Sequence, residues 1–143
     1  MARILYLTGR CYRGQAMRPG QLPEQEQPGY ALLTQAGRRY GLGFEIAFWD
    51  EEDLPRRGAA GAIIRSCWDY HHRPERFVEA LQGWERAGLQ LRNASDAVRW
   101  NVRKTYLRDL GEAAIETIWA ERADAHAVAR AGRRGRALRA RPR

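Results

Sequence analysis

The residue types best suited to chemistry lie in one short segment between Ile64 and Pro74. Five of them fall within six positions and are predicted to bind substrate: Arg65, Ser66, Trp68, Asp69 and Tyr70. A guanidinium binds a carboxylate or phosphate through two parallel hydrogen bonds, and a carboxylate can hold an ammonium group. With a hydroxyl and two aromatic faces, this mixture suits a small zwitterionic substrate.

A purely structural interpretation of this segment is also open. In it, Asp69 forms a turn, Trp68 packs, and Arg73 belongs to a solvated helix start. The position of the segment makes a binding role an equal alternative, because it follows the apolar run 61–64 and ligands of open α/β sheets bind beyond the carboxyl ends of strands. By the same reasoning Arg10, which follows the first apolar run, is predicted to reach a substrate carboxylate. Its alternative is a solvent-exposed guanidinium.

Other reactive side chains lack the partners that catalysis or metal binding requires. His71 and His72 are adjacent, so on a regular element they point in different directions and do not chelate one metal ion. Cys11 and Cys67 have no CxxC spacing and are expected to be reduced thiols. Lys104 is the only lysine beside 24 arginines. We predict no catalytic and no metal-binding residue.

The elements that position these residues follow from hydrophobic patterning. Short apolar or alternating runs predict five strands, at 2–8, 44–49, 61–64, 89–91 and 114–119. Apolar residues at helical spacing predict three helices, at 30–40, at 74–87 and from Ser95 or Asp96 to 110. Glycine and proline predict a long loop over 10–29. This order predicts an α/β fold, an open, mostly parallel sheet with helices on both faces.

The charge is unevenly distributed along the chain. The 143 residues carry a formal charge of +8, and residues 122–143 hold eight arginines and one acid, Asp124, which accounts for +7 of it. The sequence therefore predicts one near-neutral domain at 1–121 and an arginine-, alanine- and glycine-rich tail at 122–143 that is disordered or irregular. No apolar run approaches the roughly 20 residues of a transmembrane helix, so a cytoplasmic protein without a membrane partner is expected.

Several separated motifs resemble those of ATP-grasp ligases, specifically the glutathione-synthetase-like group that includes the cyclo-ligase of cycloserine biosynthesis. The matching positions are Arg65-Ser66, Trp68-Asp69-Tyr70, Asn93, Trp100-Asn101, Lys104 and Tyr106-Leu107. The resemblance covers about residues 2–121 and implies a pre-ATP-grasp-like domain. It implies that Lys104 contacts ATP and that the loops after the first and third strands lie on the substrate side. Arg103 departs from the family's acid, and Ala94 from its proline.

The resemblance also implies a reaction, in which ATP and Mg²⁺ activate a carboxylate as an acyl phosphate that an amine then attacks. The tail begins where the catalytic half of the family would follow, so we expect a truncated N-terminal fragment that is inactive alone and binds neither ATP nor Mg²⁺ productively. One alternative is a binding or split-subunit module that completes its site with a separate ATP-grasp polypeptide. Another is a nucleic-acid binder using the arginine tail, which is disfavoured because the tail has no interleaved aromatic residues.

Overall fold

The computed structural model describes residues 1–115, 117–120, 129 and 137–140. These divide into two compact units, Met1–Val98 and Arg99–Arg143. The elements of the first unit are, in chain order, β1 (Ala2–Thr8), β2 (Cys11–Tyr12), β3 (Gln15–Ala16), α1 (Gln27–Arg39), β4 (Leu42–Phe48), β5 (Gly61–Ser66), α2 (Pro74–Arg86) and β6 (Leu91–Arg92). Four strands form one parallel sheet in the order β4-β1-β5-β6, and β2 and β3 form a small antiparallel hairpin.

Strand β1 is central, and its residues 5–8 are buried within the sheet. Tyr6 packs edge-on against Tyr30 of α1, with 5.1 Å between ring centroids. Leu5 and Leu7 point to the opposite face and are fully buried as well. Since right-handed crossovers from β1 to β4 and from β5 to β6 run in opposite directions along the sheet, α1 and α2 lie on opposite faces. The predicted fold class is confirmed.

Helix α2 covers its face of the sheet with an apolar stripe. Pro74 begins the helix, where its fixed φ and missing N–H cost nothing. Four residues at helical spacing are buried: Phe77, Val78, Leu81 and Trp84. The Phe77 ring meets the Trp49 ring edge-on at 5.1 Å, which joins α2 to the segment that follows β4.

Two predictions about local structure are wrong in extent. The long loop predicted over 10–29 contains the β2–β3 hairpin and the start of α1. The third helix, α3, spans only Ser95–Asn101 and is followed by two short 3₁₀ helices, Lys104–Arg108 and Gly111–Ala113, whereas it was predicted to continue to 110. Beyond the helix the chain folds back, because the Trp100 indole N–H donates to Asp109 at 3.0 Å and the Trp100 ring packs on Tyr106 at 4.8 Å.

The second unit contains one described strand pair. Strand β7 (Thr117–Ala120) pairs in parallel with β8 (Ala137–Ala140). The other residues of the predicted tail, except position 129, lie outside the described residues, so the disorder expected of them stays a prediction, whereas positions 137–140 form strand β8. Within the described part of the chain, no helix combines the length and apolar character needed to cross a membrane.

Candidate functional site at the carboxyl ends of the strands

The carboxyl ends of three neighbouring strands meet at one edge of the sheet. Thr8 at the end of β1 is in register with Phe48 of β4 on one side and with Ser66 of β5 on the other. The side chains that follow these strands are therefore brought together, although they come from separate parts of the sequence. This is the edge at which open α/β sheets bind ligands.

The buried carboxylate of Asp69, which follows β5, connects the segments that follow the other two strands. Its residue exposure is 7%. One carboxylate oxygen accepts the Trp49 indole N–H at 2.6 Å, and the other accepts the backbone N–H of Cys11 at 3.2 Å. Gly9 leaves room for the carboxylate, because a Cβ atom there would lie 2.7 Å from Cγ of Asp69. Asp69 was predicted to contact substrate, and the structure shows both of its oxygens bound to protein donors.

A second carboxylate, Asp50, joins two arginines at the same edge. Its Oδ1 contacts Nε of Arg10 at 2.7 Å, and its Oδ2 contacts Nη2 of Arg73 at 3.1 Å. The Asp50 side chain is 9% exposed, whereas those of Arg10 and Arg73 are 49% and 45% exposed. Each guanidinium lies over an aromatic ring, Arg10 at 4.6 Å from the centroid of Phe48 and Arg73 at 4.9 Å from that of Trp49. We call Arg10, Asp50 and Arg73 the arginine pair site.

A cavity of about 400 Å³ opens beside the hairpin. Its walls come from the hairpin and from the turn after β5, and its lining residues are Cys11, Tyr12, Arg13, Gly14, Trp68, Asp69, His71 and His72. Trp68 is half-exposed, and its ring meets Tyr12 edge-on at 5.9 Å. His71 is fixed by a 2.6 Å hydrogen bond between Nδ1 and the carbonyl of Trp68. Aromatic walls with basic groups suit a small ligand that carries a negative charge.

The structure separates the residues that were predicted to act together. Trp68 and Asp69 line the cavity, but Arg65, Ser66 and Tyr70 do not. Arg65 is exposed on β5, and Tyr70 stacks on Phe77 with 5.2 Å between centroids. Ser66 is buried, and its Oγ has no hydrogen-bond partner among the described residues. The predicted site is thus a set of neighbouring surfaces rather than one pocket.

Cys67 is a structural thiol rather than a nucleophile. Its side chain is buried, and burial raises the pKa of the thiol far above its ordinary value, with the negative charge of Asp69 adding to the effect. A thiolate is the nucleophilic form of cysteine, so this environment suppresses reactivity. Both cysteines are free, as expected.

The family resemblance implies one residue that contacts ATP, Lys104, and acidic residues that hold Mg²⁺. Lys104 lies in a 3₁₀ turn of the second unit, with Nζ 5.4 Å from the Tyr106 ring centroid, and is exposed. An exposed ammonium is chemically suited to a phosphate. For Mg²⁺, no group of three or more acidic, histidine or cysteine side chains suited to a metal ion occurs among the described residues.

Sequence reasoning missed Asp50, Arg73 and Tyr12 as members of this edge. Asp50 was assigned no role from the sequence, and Arg73 was interpreted only as part of a solvated helix start. The available signal was positional, since Asp50 follows β4 just as Arg10 follows β1 and Arg65-Ser66 end β5. Tyr12 gave no signal, because the hairpin that carries it was taken for a loop.

Comparisons with known proteins agree on one relative. A family model described as the N-terminal domain of D-cycloserine synthetase DcsG matches residues 4–93. The crystal structure of D-cycloserine synthetase DcsG aligns with a TM-score of 0.60 at 20% sequence identity, over 82% of this chain and 35% of the solved chain. The chain thus spans about a third of the length of that synthetase, and at this identity the alignment shows the fold alone. No curated protein matches the sequence.

Proposed function

Since the chain belongs to the family of the D-cycloserine synthetase N-terminal domain, we propose that its first unit is the substrate side of an ATP-dependent ligase that joins a carboxylate to an amine. The family match over residues 4–93 carries this proposal, because it covers most of the unit and all of the strand ends described above. The ligase activity belongs to the family, and its extension to this chain is the proposal.

The proposed ligand is a small amino-acid derivative. The relative is named for the synthesis of D-cycloserine, which is a compound of this class. In this proposal the ligand lies against Trp68 and Tyr12 in the cavity, while Arg10 and Arg65 supply positive charge at the strand ends. The role proposed for Asp69 is to hold the cavity wall through the Cys11 backbone, since its oxygens bind Trp49 and Cys11.

For the nucleotide, the proposal assigns one contact residue. We propose Lys104 as a contact for ATP phosphate, supported by its motif and its exposure. Bound ATP would supply the phosphoryl group that activates the carboxylate. We further propose that the 143 residues do not turn over ATP alone and act with an ATP-grasp half, because the aligned region is 35% of the solved synthetase.

Ligand binding is tested by titrating the full chain with D-cycloserine and with D-serine, followed by the indole N–H signals in NMR spectra. We expect the Trp68 signal to shift and Trp68→Ala to weaken binding about tenfold, since aromatic contacts of this kind contribute on the order of 1 kcal/mol or more. Trp100→Ala is the matched control, because Trp100 is 48% exposed against 52% for Trp68. Equal effects of the two substitutions would contradict the proposed cavity.

The ligase proposal is tested by ADP formation in the presence of Mg²⁺, ATP and the same amino acids. The chain alone is expected to give the background rate. Adding the remaining part of D-cycloserine synthetase as a second polypeptide is expected to give amino-acid-dependent ADP formation that Lys104→Ala reduces. Mg²⁺-dependent turnover by the chain alone would overturn the proposed division of labour.

A further inference from the structure

We propose that the arginine pair site, Arg10 and Arg73 held by Asp50, binds the oxyanion of a small ligand. The site lies at the carboxyl ends of β1 and β4, where the sheet brings two arginines from distant parts of the sequence to one carboxylate. Neither Asp50 nor Arg73 was recognised from the sequence. The inference deepens the proposed function by naming the chemical group recognised at this edge.

The hydrogen-bonding geometry leaves the site able to take a second anion. Arg10 reaches Asp50 through Nε, and Arg73 reaches it through Nη2. A guanidinium has five N–H donors in a planar fork, so each arginine keeps most of its donors. The side chains of Arg10 and Arg73 are 49% and 45% exposed, so about half of each side chain faces solvent.

Aromatic rings preorganise the two guanidiniums. Arg10 lies over Phe48 and Arg73 over Trp49, and Trp49 is itself fixed by its indole hydrogen bond to Asp69. Stacking holds the plane of a guanidinium while leaving its edge free to donate. Because the side chains are already ordered, an incoming oxyanion costs less conformational entropy than it would at two free surface arginines.

The charge of the site favours an anion over a cation. Two guanidiniums share one carboxylate, so the three side chains carry a net positive charge. The Asp50 side chain is 9% exposed and lies at the base of the pair, where it fixes both arginines. If Asp50 served only to neutralise one arginine, a single guanidinium partner would be enough, but it contacts two. The shared acid points to a positioning role.

The matching ligand chemistry is an oxyanion that accepts several N–H bonds, either a carboxylate or a phosphate. In the ligase these come from two sources, the carboxylate of the amino-acid substrate and the phosphate of the nucleotide. That assignment rests on the proposed function, whereas oxyanion binding by the isolated chain does not. The two are therefore separable by measuring binding without ATP turnover.

The test uses the full chain and follows the Nε–H signals of Arg10 and Arg73 by NMR during titration with acetate and, separately, inorganic phosphate. Sodium chloride keeps the ionic strength constant, which removes general screening. Both signals are expected to shift and saturate together, and the anion that binds more tightly identifies the source. Arg10→Gln and Arg73→Gln are each expected to weaken binding about tenfold.

Asp50→Asn separates a positioned site from a diffuse positive surface. The substitution raises the net charge by one, so general attraction predicts tighter anion binding, whereas loss of positioning predicts binding weaker by about threefold or more. Arg76→Gln is the matched control, since Arg76 is an exposed arginine on α2 outside the site. Arg10→Lys and Arg73→Lys keep the charge but remove the planar fork of guanidinium donors. If a glutamine variant fails to fold, these lysine variants test whether binding requires the positioned donors.

Three results would overturn the inference. The first is absence of saturation with either anion. The second is an effect of Arg10 and Arg73 substitutions, to glutamine or to lysine, no larger than that of Arg76→Gln. The third is tighter binding in Asp50→Asn. Saturable binding combined with failure of the ligase assay would instead leave the site standing and remove only the proposed source of the anion.

Discussion

Asp69 and Asp50 are two largely buried carboxylates at the same edge of the sheet, yet their partners differ in kind. Asp69 accepts N–H groups from the Trp49 indole and the Cys11 backbone, both of which are neutral. Asp50 accepts from two guanidiniums that remain half-exposed. Both oxygens of Asp69 bind protein N–H groups and so fix the loops. Asp50 instead positions two guanidiniums whose side chains are half-exposed to solvent. Burial of a carboxylate therefore does not by itself identify a candidate ligand site. The charge and exposure of its hydrogen-bond partners distinguish the two cases.

The largest effect is expected from Gly9→Ala, which disturbs the packing of Asp69 against the loop after β1. The added Cβ would lie 2.7 Å from Cγ of Asp69, so the carboxylate or the loop must move. We expect the free energy of unfolding to fall by about 3 kcal/mol, as for overpacked sites. Urea denaturation followed by circular dichroism measures it.

Gly29→Ala is the matched control for that substitution. Gly29 lies in the first turn of α1, and apart from its chain neighbours and the backbone of the helix itself, no atom lies within 4 Å of a Cβ built there. Because alanine also favours the helix, stability should be unchanged or slightly higher. A Gly9→Ala variant as stable as Gly29→Ala would show that Asp69 is not packed tightly against the first loop.

A smaller effect distinguishes the two acids directly. Asp69→Asn keeps the shape but replaces one acceptor oxygen by a donor, so either the buried Trp49 indole N–H or the partly buried Cys11 N–H loses its partner. We expect a loss of about 2 kcal/mol in the free energy of unfolding. Asp50→Asn should cost less than about 1 kcal/mol, because ion pairs with half-exposed arginines contribute little to stability.

Urea unfolding of both asparagine variants at neutral pH tests this contrast. Equal losses would mean that Asp50 is as structural as Asp69, and the comparison would fail. A larger loss for Asp50→Asn would reverse it.

The last comparison concerns pH and the thiol beside Asp69. Burial and Asp69 raise the pKa of Cys67 in the folded chain, so the unfolded chain loses this proton first. The thiol leaves stability unaffected below about pH 8.5. As pH rises from there toward the folded-state pKa, the free energy of unfolding should fall by up to about 1.4 kcal/mol per pH unit.

Unfolding of the wild-type chain and of Cys67→Ala between pH 8 and pH 10 measures this contribution, which should disappear in the variant. Cys11→Ala is the control, because Cys11 is only partly buried. Equal alkaline slopes in wild type and Cys67→Ala would contradict it. A thiol reagent should correspondingly label Cys11 and spare Cys67 in the folded chain.

Much of the fold could be predicted from local pattern. The apolar run 2–8 is β1, and the stripe of Phe77 and Leu81 is the buried face of α2. Such patterns reflect burial on two faces of a sheet or one face of a helix, which local sequence encodes. The end of α3 could not be predicted, since the pairing of Trp100 with Tyr106 and Asp109 outweighs helical spacing beyond Asn101.

By itself, the sequence determined the α/β architecture, the place of the candidate site beyond β1 and β5, and the resemblance to ATP-grasp ligases, because each depends on residues close together in the chain. Only the tertiary structure decided which of those residues meet. It brought Arg10 to Arg73 through Asp50 and bound Asp69 to Trp49, contacts that join separate strands. The register of a parallel sheet sets such contacts, and that register is fixed only when the apolar faces of neighbouring strands are buried together in the folded sheet.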